Sequence, residues 1–532
     1  MRRVRGVKGN ELTRGDLPGV GRADKWRREA LLNWQKSAEA IVPAGCGREG
    51  PNIEQGSDTV SSQETRSMQN SLKGTCPLEA AVKPQGPSGG HSVSSAQPEG
   101  NFRGLVEQPL MELVIDPRNI LAALKRVRSN GGAPGVDGMT VEELQAFVGP
   151  YLDGPWLAVR RQLLEGTYIP MPVRRCEIPK PDGGVRMLGI PTALDRLIQQ
   201  AIQQVLTPIF DPEFSDASYG FRPGRRAHNA VERARSYVAE GYTWVVDMDV
   251  EKFFDRVNHD ILMSRVARRV TDKRLLKLIR RFLEAGVMVD GVTLAREEGT
   301  PQGGPLSPLL ANILLDDLDR ELTRRGHRFV RYADDCNIYV RSRRAGIRVM
   351  TSVQRFLQDK LRLKLNEAKS KVDKAWRCTF LSFSMYTAKG GPRIRIAPKA
   401  VKRLKEAIRQ VTDRNRSMPM ADRIRRLNEL MRGWIAYFAI ADARNLITDL
   451  QGWIRRRLRA CVWKQWKRVR TRIREMRALG FADWKVFGWA NDRRGPWAIA
   501  GTTLNSVLPS TYWIGQGLVD FVQFYQTRCQ TQ

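Results

Sequence analysis

Two adjacent carboxylates inside an apolar, β-branched and aromatic run constrain this chain more than any other feature. The run is Phe329-Val330-Arg331-Tyr332-Ala333-Asp334-Asp335-Cys336-Asn337-Ile338-Tyr339-Val340. It predicts two strands joined by a turn at Ala333-Asp334-Asp335, because Asp tolerates the backbone that a tight turn demands. A second run, Trp244 to Val250, also reads as a strand and carries Asp247 and Asp249. Acids in such strands are costly to bury unpaired, so they face solvent, a basic partner or a cation. A solvated edge strand and a plain polar turn would account for each run alone. Together they suggest more. Asp334 and Asp335 beside Asp249 would repel it by about 4 kcal/mol per pair at 4 Å and an effective dielectric near 20. Divalent cations would relieve that repulsion, and two Mg²⁺ ions about 3.5–4 Å apart suit an in-line phosphoryl transfer.

Charge narrows the partner. Lys and Arg number 89 against 56 Asp and Glu, a formal charge of +33 with a pI near 10.4, which calls for a polyanion such as nucleic acid or an anionic membrane. No apolar run approaches the roughly 18 residues of a membrane span, and the basic start Met1-Arg2-Arg3 is not followed by an apolar stretch. The expected address is therefore the cytoplasm, with no membrane partner. The 7 cysteines are odd in number and scattered, without a Cys-x-x-Cys pair, and there are only 4 histidines. That pattern argues against a disulfide framework and against a zinc cluster.

Along the chain, residues 1–104 begin basic, hold one possible helix near Trp26 to Ala40, and turn rich in Ser, Gly, Pro and Gln, which reads as linker or disorder. Pattern starts at Asp116-Pro117, an N-cap followed by proline at the first helical position, with Ile120, Leu121, Leu124 and Val127 on one face. Thr140 and Glu143 form a capping box. Cys176 to Ile190 reads as a hairpin turning at Pro181-Asp182-Gly183-Gly184, followed by a helix through Leu194, Leu197, Ile198, Ala201, Ile202, Val205 and Leu206. The fold class is α+β.

Tyr332-Ala333-Asp334-Asp335 resembles the signature of reverse transcriptases, and Asp249-Val250-Glu251-Lys252-Phe253-Phe254-Asp255 resembles their first catalytic motif. Further blocks agree in order: Gly184 to Pro191 around Arg186, Ser218-Tyr219-Gly220-Phe221-Arg222-Pro223-Gly224-Arg225, Gly299 to Pro308 around Gln302, and Leu365-Asn366-Glu367-Ala368-Lys369. The upstream loop Asn130 to Gly138, with Arg432-Gly433-Trp434-Ile435-Ala436-Tyr437-Phe438 and Trp453 to Arg459, is similar to the bacterial group II intron-encoded reverse transcriptases, or maturases. The likeness spans residues 111 to 515.

That resemblance implies a right-hand polymerase: fingers over 105–235, a palm with an antiparallel sheet over 236–392, a helical thumb and maturase region over 393–475, and a small DNA-binding region over 476–532. It implies that Asp249, Asp334 and Asp335, with the Val250 carbonyl, hold two Mg²⁺ ions, for which Mn²⁺ could substitute. Lys180 and Arg186 would clamp the incoming dNTP, since Arg grips phosphate bidentately and Lys as a point charge. Phe254 would exclude a ribonucleotide 2′-hydroxyl, although either Phe253 or Phe254 on a strand must point inward as core. Gln302 would face the nucleotide or template from a turn whose Ser307-Pro308 caps a helix, and Lys369 would reach the metal site or phosphates.

The implied partners are the group II intron RNA, an RNA template and a DNA primer or target, bound by a monomer or a homodimer. Between residues 401 and 480, 22 Lys and Arg face 7 Asp and Glu, a net of +15 in which tryptophans are interleaved. Arg455, Arg456, Arg459, Lys464, Lys467 and Arg468, with Arg222 and Arg225 upstream, are the expected phosphate contacts. Without a Cys and His cluster for a His-Asn-His-type nuclease, the expectation is priming by some means other than cutting the target strand. Two other readings stand beside the polymerase: a splicing cofactor with a vestigial catalytic site, and an enzyme recruited to defence or repair.

Overall fold

The computed structural model describes residues 109–149, 152, 154–179, 185–289, 292–294, 298–300 and 303–530. The expectations for residues 1–104, for the turn at 181–184 and for Lys180 and Gln302 fall outside the described residues.

Helix α1 (Leu110–Val114) leads into α2 (Pro117–Asn130), where Asp116 accepts from the Arg118 and Asn119 amides at 2.9 and 3.4 Å and Pro117 takes the first turn. Helix α3 (Val141–Val148) opens on the expected box. Glu143 N donates to Thr140 Oγ1 at 3.2 Å while Thr140 N donates to Glu143 Oε2 at 2.8 Å. After α4 (Pro155–Glu165) come the hairpin strands β1 (Val173–Pro179) and β2 (Val185–Ile190), then the long α5 (Ala193–Phe210) along which α2 packs. Next are α6 (Ala227–Ala239), β3 (Trp244–Met248), α7 (His259–Val266) and α8 (Lys273–Glu284). Strands β4 (Val287–Val289) and β5 (Val292–Leu294) complete a mixed sheet in the order β2-β1-β4-β5.

Helix α9 (Ser307–Arg324) precedes the hairpin β6 (Arg328–Tyr332) and β7 (Asp335–Val340). Ser307 is the first helical residue, with Pro308 in the first turn, so it is not the cap that the sequence suggested. Helix α10 (Arg343–Leu361) and β8 (Lys371–Lys374) follow. The second sheet, ordered β6-β7-β3-β8, is antiparallel throughout. Its alternation sorts side chains cleanly. Val246, Met248, Phe329, Cys336 and Ile338 enter one apolar cluster with α5, α7, α9 and α10, while Val245, Val330, Tyr332 and Tyr339 enter a second. Side chains on that second face continue towards the acids, and α6 packs across its far end.

The second cluster extends into the C-terminal half. A hairpin of β9 (Phe383–Ala388) and β10 (Gly391–Ile396) is followed by α11 (Pro398–Val411), α12 (Met420–Phe438) and α13 (Arg444–Gln465). Then come α14 (Val469–Ala478), α15 (Asp483–Ala490), α16 (Pro496–Gly501), α17 (Thr503–Val507), α18 (Ser510–Gly515) and α19 (Phe521–Gln530). No break falls near residue 475: Ile454 and Leu458 of α13 share one core with Leu504, Trp513 and Phe521. Polar bonds lock the same seam, with Tyr525 Oη donating to Ala441 O at 2.6 Å and Asn428 Nδ2 to Gly517 O at 2.8 Å. Among the described residues no helix is long and apolar enough to cross a membrane.

Candidate active site

The register of β3 against β7 fixes the chemistry. Val246 faces Ile338, Asp247 faces Asn337 and Met248 faces Cys336, so the next opposed positions are Asp249 and Asp335. Both leave the sheet on the face that carries Val245 and Tyr339. Asp334 lies in the turn between β6 and β7, after Ala333 with its left-handed φ of +58°. Burial raises the Asp335 carboxyl well above the usual range, and the neighbouring Asp247, Asp334 and Asp249 push it further, although the residue keeps some exposed surface. Asp247 behaves alike. Burial lifts it to about 6, against the pull of Lys371 and with a further push from Asp249. The two-residue spacing of Asp247 from Asp249 places both on one face of the strand, a signal the sequence carries for Asp247 as well.

Asp249 is held by the block that resembles a polymerase motif after α10. Asn366 N donates to Asp249 O at 2.8 Å, Asp249 N donates to Ser370 Oγ at 3.1 Å, and Glu251 N donates to Lys364 O at 2.8 Å. Val250 bridges to Leu365 through these neighbours, which leaves its own carbonyl out of the bridge. Lys369 Nζ stands 3.7 Å from Asp249 Oδ2. Both groups are well exposed, so this pair is screened and worth little by itself.

Arg331 supports the turn from below. It is fully buried, as is Asp319, and the two form a bidentate pair, Nη2 to Oδ2 at 2.5 Å and Nε to Oδ1 at 2.8 Å. Its remaining nitrogen donates to Asn312 Oδ1 and to the Ala333 carbonyl, both at 2.9 Å. Asn312 Nδ2 in turn donates to Gly220 O at 2.8 Å. Gly220 lies so close that a Cβ there would overlap Ala333 N and crowd the Tyr332 carbonyl carbon. Gly220→Ala is therefore expected to displace the turn that carries Asp334 and lower primer extension about a hundredfold, with a far smaller loss of secondary structure by circular dichroism.

Phe254 is not on a strand. Lys252 adopts φ +46° and turns the chain into a 3-10 segment, Phe253–Asp255, so Phe253 is buried and Phe254 half-buried with the rings 5.1 Å apart. Thr300 and Gly303 are both anchored. Thr300 N donates to Phe254 O at 2.6 Å, and a Cβ on Gly303 would lie 2.7 Å from the Gly189 carbonyl of β2. Position 186 pairs with Ile178 in the first hairpin.

The structure corrects two of the expected phosphate contacts. Arg222 is buried and spends its guanidinium on Asp211 Oδ1 at 2.8 Å and on the carbonyls of Asp211, Ser215 and Ser218. Arg459 is buried too, donating to Leu508 O and Ala500 O at 3.0 and 3.4 Å; burial, then Arg455 and Arg456, lower it to about 10. Both are internal clamps. Arg455 bonds Ser510 Oγ, and Arg456 stacks on Trp497 at 4.3 Å, each half-buried. Arg225 pairs with Asp216 at 2.7 Å. Lys464, Lys467 and Arg468 are exposed at the end of α13 and beyond.

Residues 178–385 match the family of reverse transcriptases (RNA-dependent DNA polymerases), and residues 401–480 match the group II intron maturase-specific domain. The chain belongs to the group II intron reverse transcriptases. Protein YkfC of Escherichia coli K12 is 34% identical over 305 residues, 50% of this chain and 79% of its own. The group II intron-encoded protein LtrA of Lactococcus lactis subsp. cremoris is 36% identical over 219 residues, 40% of this chain and 34% of its own. A solved chain titled "Partial Cas6-RT-Cas1--Cas2 complex" is 27% identical over 48% of this chain and 43% of its own, with a TM-score of 0.32. RNA-directed DNA polymerisation dependent on a divalent metal goes with the reverse transcriptase match, and assistance to splicing with the maturase match.

The carboxylates fit such a metal. Crowding of Asp335 by Asp247, Asp249 and Asp334 leaves a negative excess that a cation would relieve. Among the described residues no group of three or more His, Cys, Asp or Glu side chains is already drawn together around a metal-sized space.

Proposed function

We propose that this group II intron reverse transcriptase copies its intron RNA into DNA with Asp249, Asp334 and Asp335 as the acids that hold two Mg²⁺ ions, Mn²⁺ being able to substitute. The observation that carries this reading is the antiparallel register of β3 and β7, which ends with Met248 opposite Cys336 and so brings Asp249 and Asp335 to the same end of the sheet. When bound, the ions activate the primer 3′-oxygen and stabilise the pyrophosphate leaving group. The Val250 carbonyl is an added ligand. Lys180 and Arg186 hold the dNTP triphosphate, Phe254 closes the space beside its sugar, and Gln302 contacts nucleotide or template. Lys369 reaches the metal site or the phosphates from beside Asp249.

The chain uses Lys464, Lys467 and Arg468 to grip the intron RNA, with Arg225, Arg455 and Arg456 as weaker contributors because each already has a protein partner. The fingers, palm and thumb regions divide near residues 235 and 392, the C-terminal region after 475 sharing the core of the thumb, and the protein works in the cytoplasm.

Primer extension on an RNA template, run beside splicing of the intron RNA, tests the reading. The expected result is Mg²⁺-dependent DNA synthesis by the wild type, and loss of synthesis with splicing retained in Asp334→Asn. A wild-type protein that extends no primed RNA at permissive salt would overturn it.

A further inference from the structure

The block Ser218–Arg225 places its arginine inside and its phenylalanine outside. Phe221 is 51% exposed and holds φ at +58°. A bulky non-glycine residue in that region is strained, and an exposed ring recovers little of the cost through packing. Such strain persists where the surroundings over-determine the backbone, and it gathers at functional sites.

The surroundings here do so from both sides. Behind Phe221, the buried Arg222 is tied to the Asp211 carboxylate and four carbonyls. Ahead of it, Gly220 is pressed against Ala333 and joined through Asn312 to Arg331, which also holds the Ala333 carbonyl. Phe221 is thus fixed to the turn that carries Asp334. Its ring lies 6.2 Å from that of Tyr332 at 46°. Tyr332 is the cross-strand partner of Asp335, so the pair of rings lies on the face of the acids. In the sheet order β6-β7-β3-β8 the rings stand on the β6 side and Lys369, by Asp249, on the β8 side.

Resting on the polymerase reading above, we propose that Phe221 is a substrate-contact residue. Its ring, backed by Tyr332, supports the sugar and base of the primer's terminal nucleotide and so fixes the 3′-oxygen over the acids. Phe254 lies on a different loop, after β3, and serves the incoming nucleotide instead. The two aromatics divide the pair of reactants between them.

Phe221→Gly separates this role from a structural one, because glycine relaxes the left-handed backbone while removing the ring. The unfolding midpoint in urea is expected to stay level or rise. Equilibrium binding of a primer–RNA template duplex, followed by fluorescence anisotropy in Ca²⁺ without chemistry, is expected to weaken about tenfold. In steady-state extension the KM for primer–template rises similarly with the KM for dNTP unchanged, and Phe221→Tyr, which keeps the ring, stays near wild type. A fall in the midpoint, unchanged duplex binding, or a change in the dNTP KM alone overturns the proposal. Failure of the wild type to extend while duplex binding still depends on the ring would instead remove the polymerase reading and leave the contact standing.

Discussion

Asp335→Asn will leave a protein that extends primers at least about 10³-fold more slowly and yet is harder to unfold at neutral pH. On the proposed reading, loss of one of the acids that hold the metal would remove charge stabilisation worth several kcal/mol, and about 4 kcal/mol corresponds to that factor. The stability change has the opposite sign. Asp335 is raised well above the ordinary carboxylate value in the folded protein by burial and by Asp247, Asp334 and Asp249. A folded pKa above the unfolded one contributes stability at low pH that is lost as pH rises through the folded value. Asn does not titrate. In metal-free buffer containing EDTA, the urea midpoint of the variant should therefore gain on that of the wild type between pH 4.5 and 7.5. Adding Mg²⁺ should raise the wild type more than the variant. A variant less stable than wild type at pH 7.5 would contradict the crowding of carboxylates described for this site.

The second large effect lies beneath the turn. Arg331→Met strands Asp319, which is fully buried, and should cost about 3–5 kcal/mol measured by denaturant unfolding. Adding Asp319→Leu removes the stranded charge and should recover most of that loss. Activity should not follow. Neither methionine nor leucine can donate to the Ala333 carbonyl or to Asn312, so extension should stay low in the double variant although it folds well. Recovery of extension together with stability would show that the pair serves the core alone. Arg331→Lys should also fail, because an ammonium cannot reproduce the planar fork that meets Asp319, Asn312 and Ala333 at once.

Much of the palm was legible because alternation and composition are local signals. The strands around Asp249 and Asp335, the capped helices at Asp116 and Thr140, and the hairpin ending at Ile190 all follow from neighbours in sequence. What escaped depends on groups far apart. A guanidinium in a motif can meet a phosphate or a carbonyl, and only the folded chain shows that Arg222 reaches Asp211 and Arg459 reaches Leu508. Phe254 was read against a strand because nothing in Glu251-Lys252-Phe253 announces the left-handed φ at Lys252. Phe221 was hidden for the same reason. Asp247 could have been assigned from parity alone, since it shares a face with Asp249.

The apolar seam that joins Val245 and Tyr339 of the palm to Leu458, Trp513 and Phe521 bears on how this molecule could change over generations. On the proposed reading, copying would be silenced by one substitution at Asp249 or Asp335, with the scaffold intact. Deleting the C-terminal helices is a different matter, because it would strip cover from the tract that packs against the polymerase sheet. Point decay is thus open to the catalytic half, while shedding of whole modules is not, and a lineage that ceased to copy would still carry the complete architecture.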